Sequence, residues 1–131
     1  MTDLHWLTAS EISARFAAGT LSPVELVAAM LKRIDALDGS LNAFIRLDRQ
    51  AALVSAQKAE AEIRRDGMRT PLHGIPVGIK DVIDVAGVPT TCHSKILLDH
   101  VAEHDADAVA NLRTAGAIPF GKLATHEFAL G

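Results

Sequence analysis

Apolar residues recur at helical spacing along the first part of the chain, and capping residues mark where the helices begin. Thr8 and Glu11 have the spacing of a capping box, which predicts a short first helix that ends at Gly19. The segment from Ser22 to Glu25 is a stronger start signal, because it adds a proline at the first helical position. We expect a second helix from Pro23 to about Asp38. Its apolar face consists of Val24, Val27, Leu31 and Ile34.

Two further helices are predicted between strand-like runs. Residues 42–47 have the pattern of a strand, and an alanine-rich helix is expected from about Asp48 to Asp66, with Gly67 ending it. Asp105 is expected to cap a fourth helix that ends at Gly116. These helices separate the runs with a β pattern.

Three of those runs lie in the second half of the chain. Residues 73–81 alternate as a strand would, residues 82–88 form a second β-like stretch, and residues 117–122 read as a buried strand. A helix that leads into a short apolar strand, twice, favours an α/β fold with a mixed sheet covered by helices on both faces.

Composition narrows the class of protein. The 131 residues are 49% hydrophobic and 22% charged, which suits one globular domain. Thirteen basic and 16 acidic residues give a net charge of -3, and because no Lys or Arg cluster forms a stripe, we expect no direct nucleic-acid partner. No run has the length of a signal peptide or a membrane span, so no membrane association is expected. The single cysteine, Cys92, suits a reducing compartment, and we predict a cytoplasmic protein.

Lys80 is the candidate with the clearest chemistry. It ends the apolar, glycine-containing run from His73 to Asp81, and Gly78 lies two residues earlier on the same face, which predicts open space beside the amine. A lysine amine held in an apolar setting gives up its proton more readily and serves as a base. The alternative is an ordinary strand-end lysine whose charge lies in water.

The order of motifs around Lys80 resembles the amidase signature family. The resemblance is carried by residues 71–81, then by Thr90 and Thr91, and then by residues 121–129, and it extends from Ser22 to Gly131. Members of this family hydrolyse or transfer the nitrogen of carboxylic amides. They use a lysine, a serine on a cis peptide bond and a nucleophilic serine. The resemblance implies that Lys80 is the lysine of this set.

The same resemblance implies a single, incomplete amidase-type domain. Residues 1–70 correspond to its N-terminal helices and residues 71–131 to the start of its catalytic sheet. The chain is expected to stop before the glycine- and serine-rich loop that supplies both catalytic serines, so we predict no turnover by this chain alone. Its own serines match none of the motif positions, and they are Ser10, Ser13, Ser22, Ser40, Ser55 and Ser94.

Substrate and partners follow from the resemblance as well. It implies a small amide substrate, no cofactor and no metal, with an acyl pocket approached by Phe128, Ala129, Leu130 and Gly131. Residues 90–95 are also similar to the A subunit of the amidotransferase that amidates misacylated tRNA. That similarity implies partner subunits, and a homo-oligomer also stays open. A third alternative is a truncated, non-catalytic fragment that serves only for association.

Competing motifs give weaker predictions. Cys92 suggests a thiol mechanism with Lys80 and either Glu103 or Glu127, but a lone intracellular cysteine is usually a small buried hydrophobic residue. Residues 100–104 match the pattern H-x-x-E-H, which binds zinc only when both histidines share a helix face. We expect a loop there. His126 and Glu127 are adjacent, which makes a poor metal site.

Overall fold

The computed structural model describes residues 3–130 and contains, within them, four α-helices and a three-stranded sheet. The helices are α1 (Ala9–Ala17), α2 (Pro23–Leu41), α3 (Arg49–Asp66) and α4 (Asp107–Thr114). The strands are β1 (Phe44–Arg46), β2 (Pro76–Lys80) and β3 (Ile118–Leu123). Short 3-10 turns occupy Leu4–Trp6, Lys95–Leu97 and Glu127–Ala129. This mixed architecture confirms the predicted α/β class.

Strand β3 is the centre of the sheet. It pairs antiparallel with β1 and parallel with β2, so the strand order is β1-β3-β2. After an irregularity that follows Val77, Ile79 lies opposite Lys122 and Lys80 lies opposite Leu123. Residues that lie opposite each other project to the same face of a sheet. Lys80 and Lys122 therefore belong to opposite faces.

The helix boundaries follow the caps that the sequence predicts. The Thr8–Glu11 and Ser22–Glu25 capping boxes both form, and the Asp48 side chain accepts a hydrogen bond from the Ala51 amide at the start of α3. Gly67 follows the last residue of α3, as expected. Helix α2 runs three residues beyond the predicted Asp38 and ends at Leu41, and the C-cap residue Asn42 adopts a left-handed conformation.

Three apolar clusters hold the elements together. The largest joins α2, α3 and β3, a second joins α1 and the start of α2 to Ile75, and a third packs α4 against β2. In the third cluster, Val109 of α4 is fully buried against Ile79 and Val85. Helix α4 therefore covers the Val77 and Ile79 side of β2, and the Gly78 and Lys80 side faces away from it.

Residues 82–88 do not form the predicted strand. They form turns, in which the Ile83 amide donates to the Lys80 carbonyl and the Val88 amide donates to the Val85 carbonyl. The apolar pattern of this stretch has a different cause, because Val85 and Val88 pack against the α4 cluster from a loop. Apolar spacing alone does not distinguish such a loop from a short strand.

Asp105 does not cap α4 through its side chain. The cap position is Ala106, and the Asp105 carboxylate instead accepts from the Ala86 amide and from the Arg113 Nε, each at 2.8 Å. These contacts hold the pKa of Asp105 below its usual range, although burial alone would raise it. Asp105 thus ties the loop after β2 to α4.

Gly116 is required by close packing against His73. It has a φ of +89°, and a Cβ atom there would lie 2.6 Å from Cδ2 of the buried His73 ring. Both ring nitrogens of His73 are engaged: Nδ1 accepts from the Arg69 amide, and Nε2 lies 3.1 Å from a Glu62 carboxylate oxygen. The ring is therefore not free to move aside.

We expect Gly116→Ala to lower the free energy of unfolding by about 2–4 kcal/mol, because the left-handed backbone and the steric overlap both oppose a side chain. Gly39→Ala is the matched control. Gly39 lies within α2, and beyond its chain neighbours and the backbone of its own helix no atom lies within 4 Å of the added methyl, so this change should stabilise the protein by about 0.5–1 kcal/mol. Urea denaturation measures both. Equal stability of Gly116→Ala and the parent chain would contradict the tight contact.

Candidate active site

Lys80 occupies the end of β2 on the open side of the sheet. Its side chain is exposed, and so is Gly78. The space above Gly78 is not empty, because a Cβ there would lie 2.8 Å from Cδ1 of Leu123. The predicted gap beside the lysine is thus partly filled by a neighbouring strand. The burial that the sequence suggests for the Lys80 amine does not occur within residues 3–130, and its role as a base stays a prediction.

Asp81, the next residue, is fully buried, and neighbouring groups contact both its backbone and its carboxylate. Its amide donates to the Leu123 carbonyl at 3.0 Å, and its carbonyl accepts from the Cys92 amide at 2.9 Å. Its Oδ2 accepts from both the amide and the hydroxyl of Thr91. Its Oδ1 lies 2.9 Å from Nζ of Lys122. Asp81 therefore fixes the chain directly after Lys80.

Lys122 approaches Asp81 from β3 and is only 2% exposed. Its Nζ donates to the Ile83 carbonyl and to the Thr90 hydroxyl, each at 2.9 Å, and to the Pro89 carbonyl at 3.3 Å. A buried ammonium is tolerated only when its charge and its donors are compensated. Here one carboxylate and three neutral oxygens provide that compensation, and they all belong to β2 or to the loop after it.

The charge on Asp81 is stabilised by its neighbours. Burial on its own would raise the pKa of Asp81, but the hydrogen bond from the Thr91 hydroxyl and the contact with Lys122 outweigh burial and hold the pKa below its usual range. The pair is thus an ion pair at neutral pH. We refer to Asp81, Thr91 and Lys122 below as the buried triad.

Two loops meet next to the buried triad. The Phe128 amide donates to the Cys92 carbonyl at 2.9 Å, and the Ser94 hydroxyl donates to Oε1 of Glu127 at 2.7 Å. His93 Nδ1 also contacts the Thr125 carbonyl. Four residues in these loops have a left-handed backbone that non-glycine residues seldom adopt, and they are Cys92, His93, Phe128 and Ala129. Such conformations concentrate where surrounding structure enforces them, often at functional sites.

Of the predicted acyl-pocket residues, Phe128 is joined to Asp81 through the backbone of Cys92. Phe128 and Leu130 are 44% and 79% exposed, and Ala129 is exposed as well. Gly131 lies outside the described residues. The contact with an acyl group stays a prediction for all four residues.

The weaker motifs form no site in the part of the chain that the structure describes. Residues 100–104 lie in a loop, so the helix face needed for H-x-x-E-H zinc binding does not form. Cys92 is half-buried and contacts Asp81 and Phe128 through its backbone. Ser94 is buried, and its hydroxyl donates to the Glu127 carboxylate. Among residues 3–130, no group of three or more potential metal-binding side chains comes together.

Sequence reasoning missed Lys122 as a member of the site. The sequence signal was present, because Lys122 follows Ile118 and Phe120 at alternate positions of a strand, where an inward side chain is expected. All three are buried. A lysine at an inward strand position requires a buried acid as partner, and Asp81 is that acid.

These features define an α/β protein whose sheet carries an exposed lysine beside a buried ion pair. The model of the Amidase family matches residues 25–131, so the chain belongs to this family. Within residues 3–130, none of the helices combines the length and the apolar character that a membrane crossing requires.

Among curated relatives, the A subunit of glutamyl-tRNA(Gln) amidotransferase from Roseiflexus sp. (strain RS-1) is 47% identical over 131 residues, which is 100% of this chain and 27% of that protein. The protein of the same name from Streptomyces coelicolor is 38% identical over the same 131 residues, or 26% of its length. The chain spans about a quarter of the length of these relatives.

Solved structures of amidases are also similar to this chain. The native peptide amidase from Stenotrophomonas maltophilia aligns with a TM-score of 0.87 at 37% identity, covering 94% of this chain and 26% of that one. Fatty acid amide hydrolase aligns with a TM-score of 0.87 at 22% identity, covering 95% of this chain and 23% of that one, and shows the shared fold alone.

The Asp81 ion pair predicts an acid-sensitive contribution to stability. The pKa of Asp81 is lower in the folded chain than in the unfolded chain, so its stabilisation is complete above the unfolded value of about 3.9 and is lost as the pH falls through the folded value. We expect Asp81→Asn to cost about 3–5 kcal/mol at neutral pH, because Lys122 is left buried without its carboxylate.

The difference in the free energy of unfolding between the parent and Asp81→Asn should narrow steadily below about pH 4. There Asp81 takes up a proton in the unfolded parent chain, whereas an asparagine side chain does not titrate. Urea denaturation of both proteins at a series of pH values measures it. Glu11, Asp66 and Asp105, whose pKa values are also lowered, are present in both proteins and cancel in the comparison. Parallel stability curves would show that the ionisation of Asp81 does not support the fold.

Proposed function

We propose that this chain belongs to an amidase-type enzyme that cleaves the carbon–nitrogen bond of small carboxylic amides, in which Lys80 is the general base and proton shuttle. The observation that carries the proposal is the position of Lys80: it ends β2 beside the buried Asp81, in a chain whose residues 25–131 match the Amidase family. In this proposal the catalytic residues are a nucleophilic serine, a serine on a cis peptide bond and a lysine, and the lysine is Lys80.

The chemistry assigns a clear task to such a lysine. A serine hydroxyl is a weak nucleophile until a base removes its proton, and a neutral amine does this directly or through a second hydroxyl. The serine oxygen then attacks the amide carbon, and the ammonium returns the proton to the nitrogen as the carbon–nitrogen bond breaks. Since Lys80 is exposed in this chain, the desolvation that favours a neutral amine has to come from protein atoms that cover the open side of β2.

A chimera tests the role of Lys80. This chain replaces the aligned quarter of the Stenotrophomonas maltophilia peptide amidase, with which it shares 37% identity. We expect the chimera to hydrolyse a peptide amide, and Lys80→Met to lower kcat by about 1,000-fold because the serine loses its base. Release of ammonia measures turnover, and circular dichroism verifies the fold.

Lys58→Met is the matched control, since the Lys58 side chain is 78% exposed on α3 and pairs with Glu62 at 4.0 Å. It should retain full activity. The isolated chain should not react with a serine-directed fluorophosphonate, as judged by intact mass. Normal turnover of a folded Lys80→Met chimera would reject the proposal.

A second candidate function is that of one component of a multi-subunit, tRNA-dependent amidotransferase. It is favoured by the curated relatives named as the A subunit of glutamyl-tRNA(Gln) amidotransferase, which reach 47–48% identity, whereas the two solved amidases described above are 22–37% identical. Exposed apolar side chains suit an association surface as well, and Trp6, Ile96 and Leu130 are each more than 70% exposed.

The two candidates differ in their need for partners. We place this chain in the aligned quarter of the Roseiflexus relative and measure the oligomeric state by size-exclusion chromatography and the hydrolysis of free amides. The hydrolase function predicts turnover by a lone polypeptide. The amidotransferase function predicts a stable complex with partner subunits and turnover only within it. Folded chimeras that associate but never turn over would instead support a non-catalytic association module.

A further inference from the structure

We infer that the buried triad of Asp81, Thr91 and Lys122 positions Lys80 for catalysis, an inference that rests on the proposed role of Lys80 as the base. None of the three side chains is itself directed to the open side of β2, where Lys80 lies. They act through the backbone at the end of that strand. They are positioning residues, distinct from the groups that touch the substrate.

Asp81 follows the last residue of β2 and begins the turn that is closed by the hydrogen bond from the Ile83 amide to the Lys80 carbonyl. Asp81 is 0% exposed and Lys80 is exposed, so the chain changes from an outward to an inward side chain at this point. Both peptide groups that flank the Asp81 Cα are also held, one by Leu123 and one by Cys92. Little freedom remains for the backbone that carries Lys80.

Lys122 holds this arrangement from the neighbouring strand. It lies opposite Ile79 in the β2–β3 ladder, one residue before the partner of Lys80. Its ammonium reaches the Asp81 carboxylate and the carbonyls of Ile83 and Pro89, which lie on the loop that leaves β2. The Lys122 ammonium thus fixes both the register of β2 against β3 and the path of the loop after β2.

Stability alone does not explain why charged residues occupy this point. An apolar pair of similar volume is often as stable as a buried ion pair or more so, because burial removes both charges from water. An ion pair that also engages Thr91 accepts only one geometry. Such specificity matters most beside a residue whose amine has to lie within hydrogen-bond distance of a hydroxyl, since small displacements of a catalytic group greatly slow a reaction.

Kinetics of the peptide amidase chimera test this inference. Asp81→Asn and Lys122→Met should each lower kcat per folded molecule by about 10–100-fold and change KM by less than about threefold, because the base moves while substrate binding is kept. Thr91→Val removes the hydroxyl that binds Asp81 and should lower kcat about tenfold, whereas Thr91→Ser keeps the hydroxyl and should stay within about threefold of the parent.

The control separates positioning from folding. Leu26 is 0% exposed in the cluster between α1 and α2, so Leu26→Ala destabilises the chain without touching the triad. Its kcat per folded molecule should equal that of the parent, with the folded fraction taken from circular dichroism. If Asp81→Asn and Lys122→Met do not fold, the Thr91 pair decides the outcome.

The results distinguish the inference from the proposed function. Unchanged kcat in the folded triad variants, together with an inactive Lys80→Met, would overturn the inference and leave Lys80 as the base. Equal kcat for Thr91→Val and Thr91→Ser would overturn it as well. An active Lys80→Met would remove the proposed function, and the inference would fail with it.

Discussion

The ion pair between Asp81 and Lys122 connects the parts of this structure that surround the candidate base. It joins β3 to the residue after β2, and through the remaining donors of Lys122 it holds the loop up to Thr90. Two charges are withdrawn from water to form it, and their mutual attraction together with the hydrogen bonds to Thr91 and to the loop oxygens offsets that cost. The shape of the loop after β2 therefore follows from the need to solvate one buried ammonium.

Much of the helical structure is predictable because it depends on signals that lie close together in the sequence. The contacts of Lys122 and the loop at residues 82–88 were not predicted, because they depend on residues that are distant along the chain. The capping boxes at Thr8 and Ser22 act over three residues, so the sequence alone identifies where α1 and α2 begin. The oxygens that Lys122 contacts in the loop lie 32–39 residues away along the chain, so no local sequence pattern predicts these contacts. The same applies to residues 82–88, whose apolar side chains serve α4 from a loop and not from a strand.

The candidate site was predictable to a similar degree. Alternation identified the strand that carries Lys80 and the direction of its side chain, because these depend only on neighbouring residues. Its surroundings depend on the register of β2 against β3, which places Leu123 above Gly78. Register is set by the whole sheet and is not visible in one strand. The sequence therefore predicts the strand that ends at Lys80, but not the Leu123 side chain that fills the space beside Gly78.

A continuous set of backbone contacts extends the influence of the buried triad beyond Lys80. The Cys92 amide donates to the Asp81 carbonyl, and the Cys92 carbonyl accepts from the Phe128 amide, so one residue joins the end of β2 to the predicted acyl-pocket segment. Cys92 and Phe128 both have left-handed backbones, which persist only where neighbouring contacts enforce them. Because these contacts begin at Asp81, the predicted base and the predicted acyl-pocket residue Phe128 are held relative to each other through one short backbone path. In an amidase, the distance between those two elements determines whether a bound amide lies within reach of the activated hydroxyl.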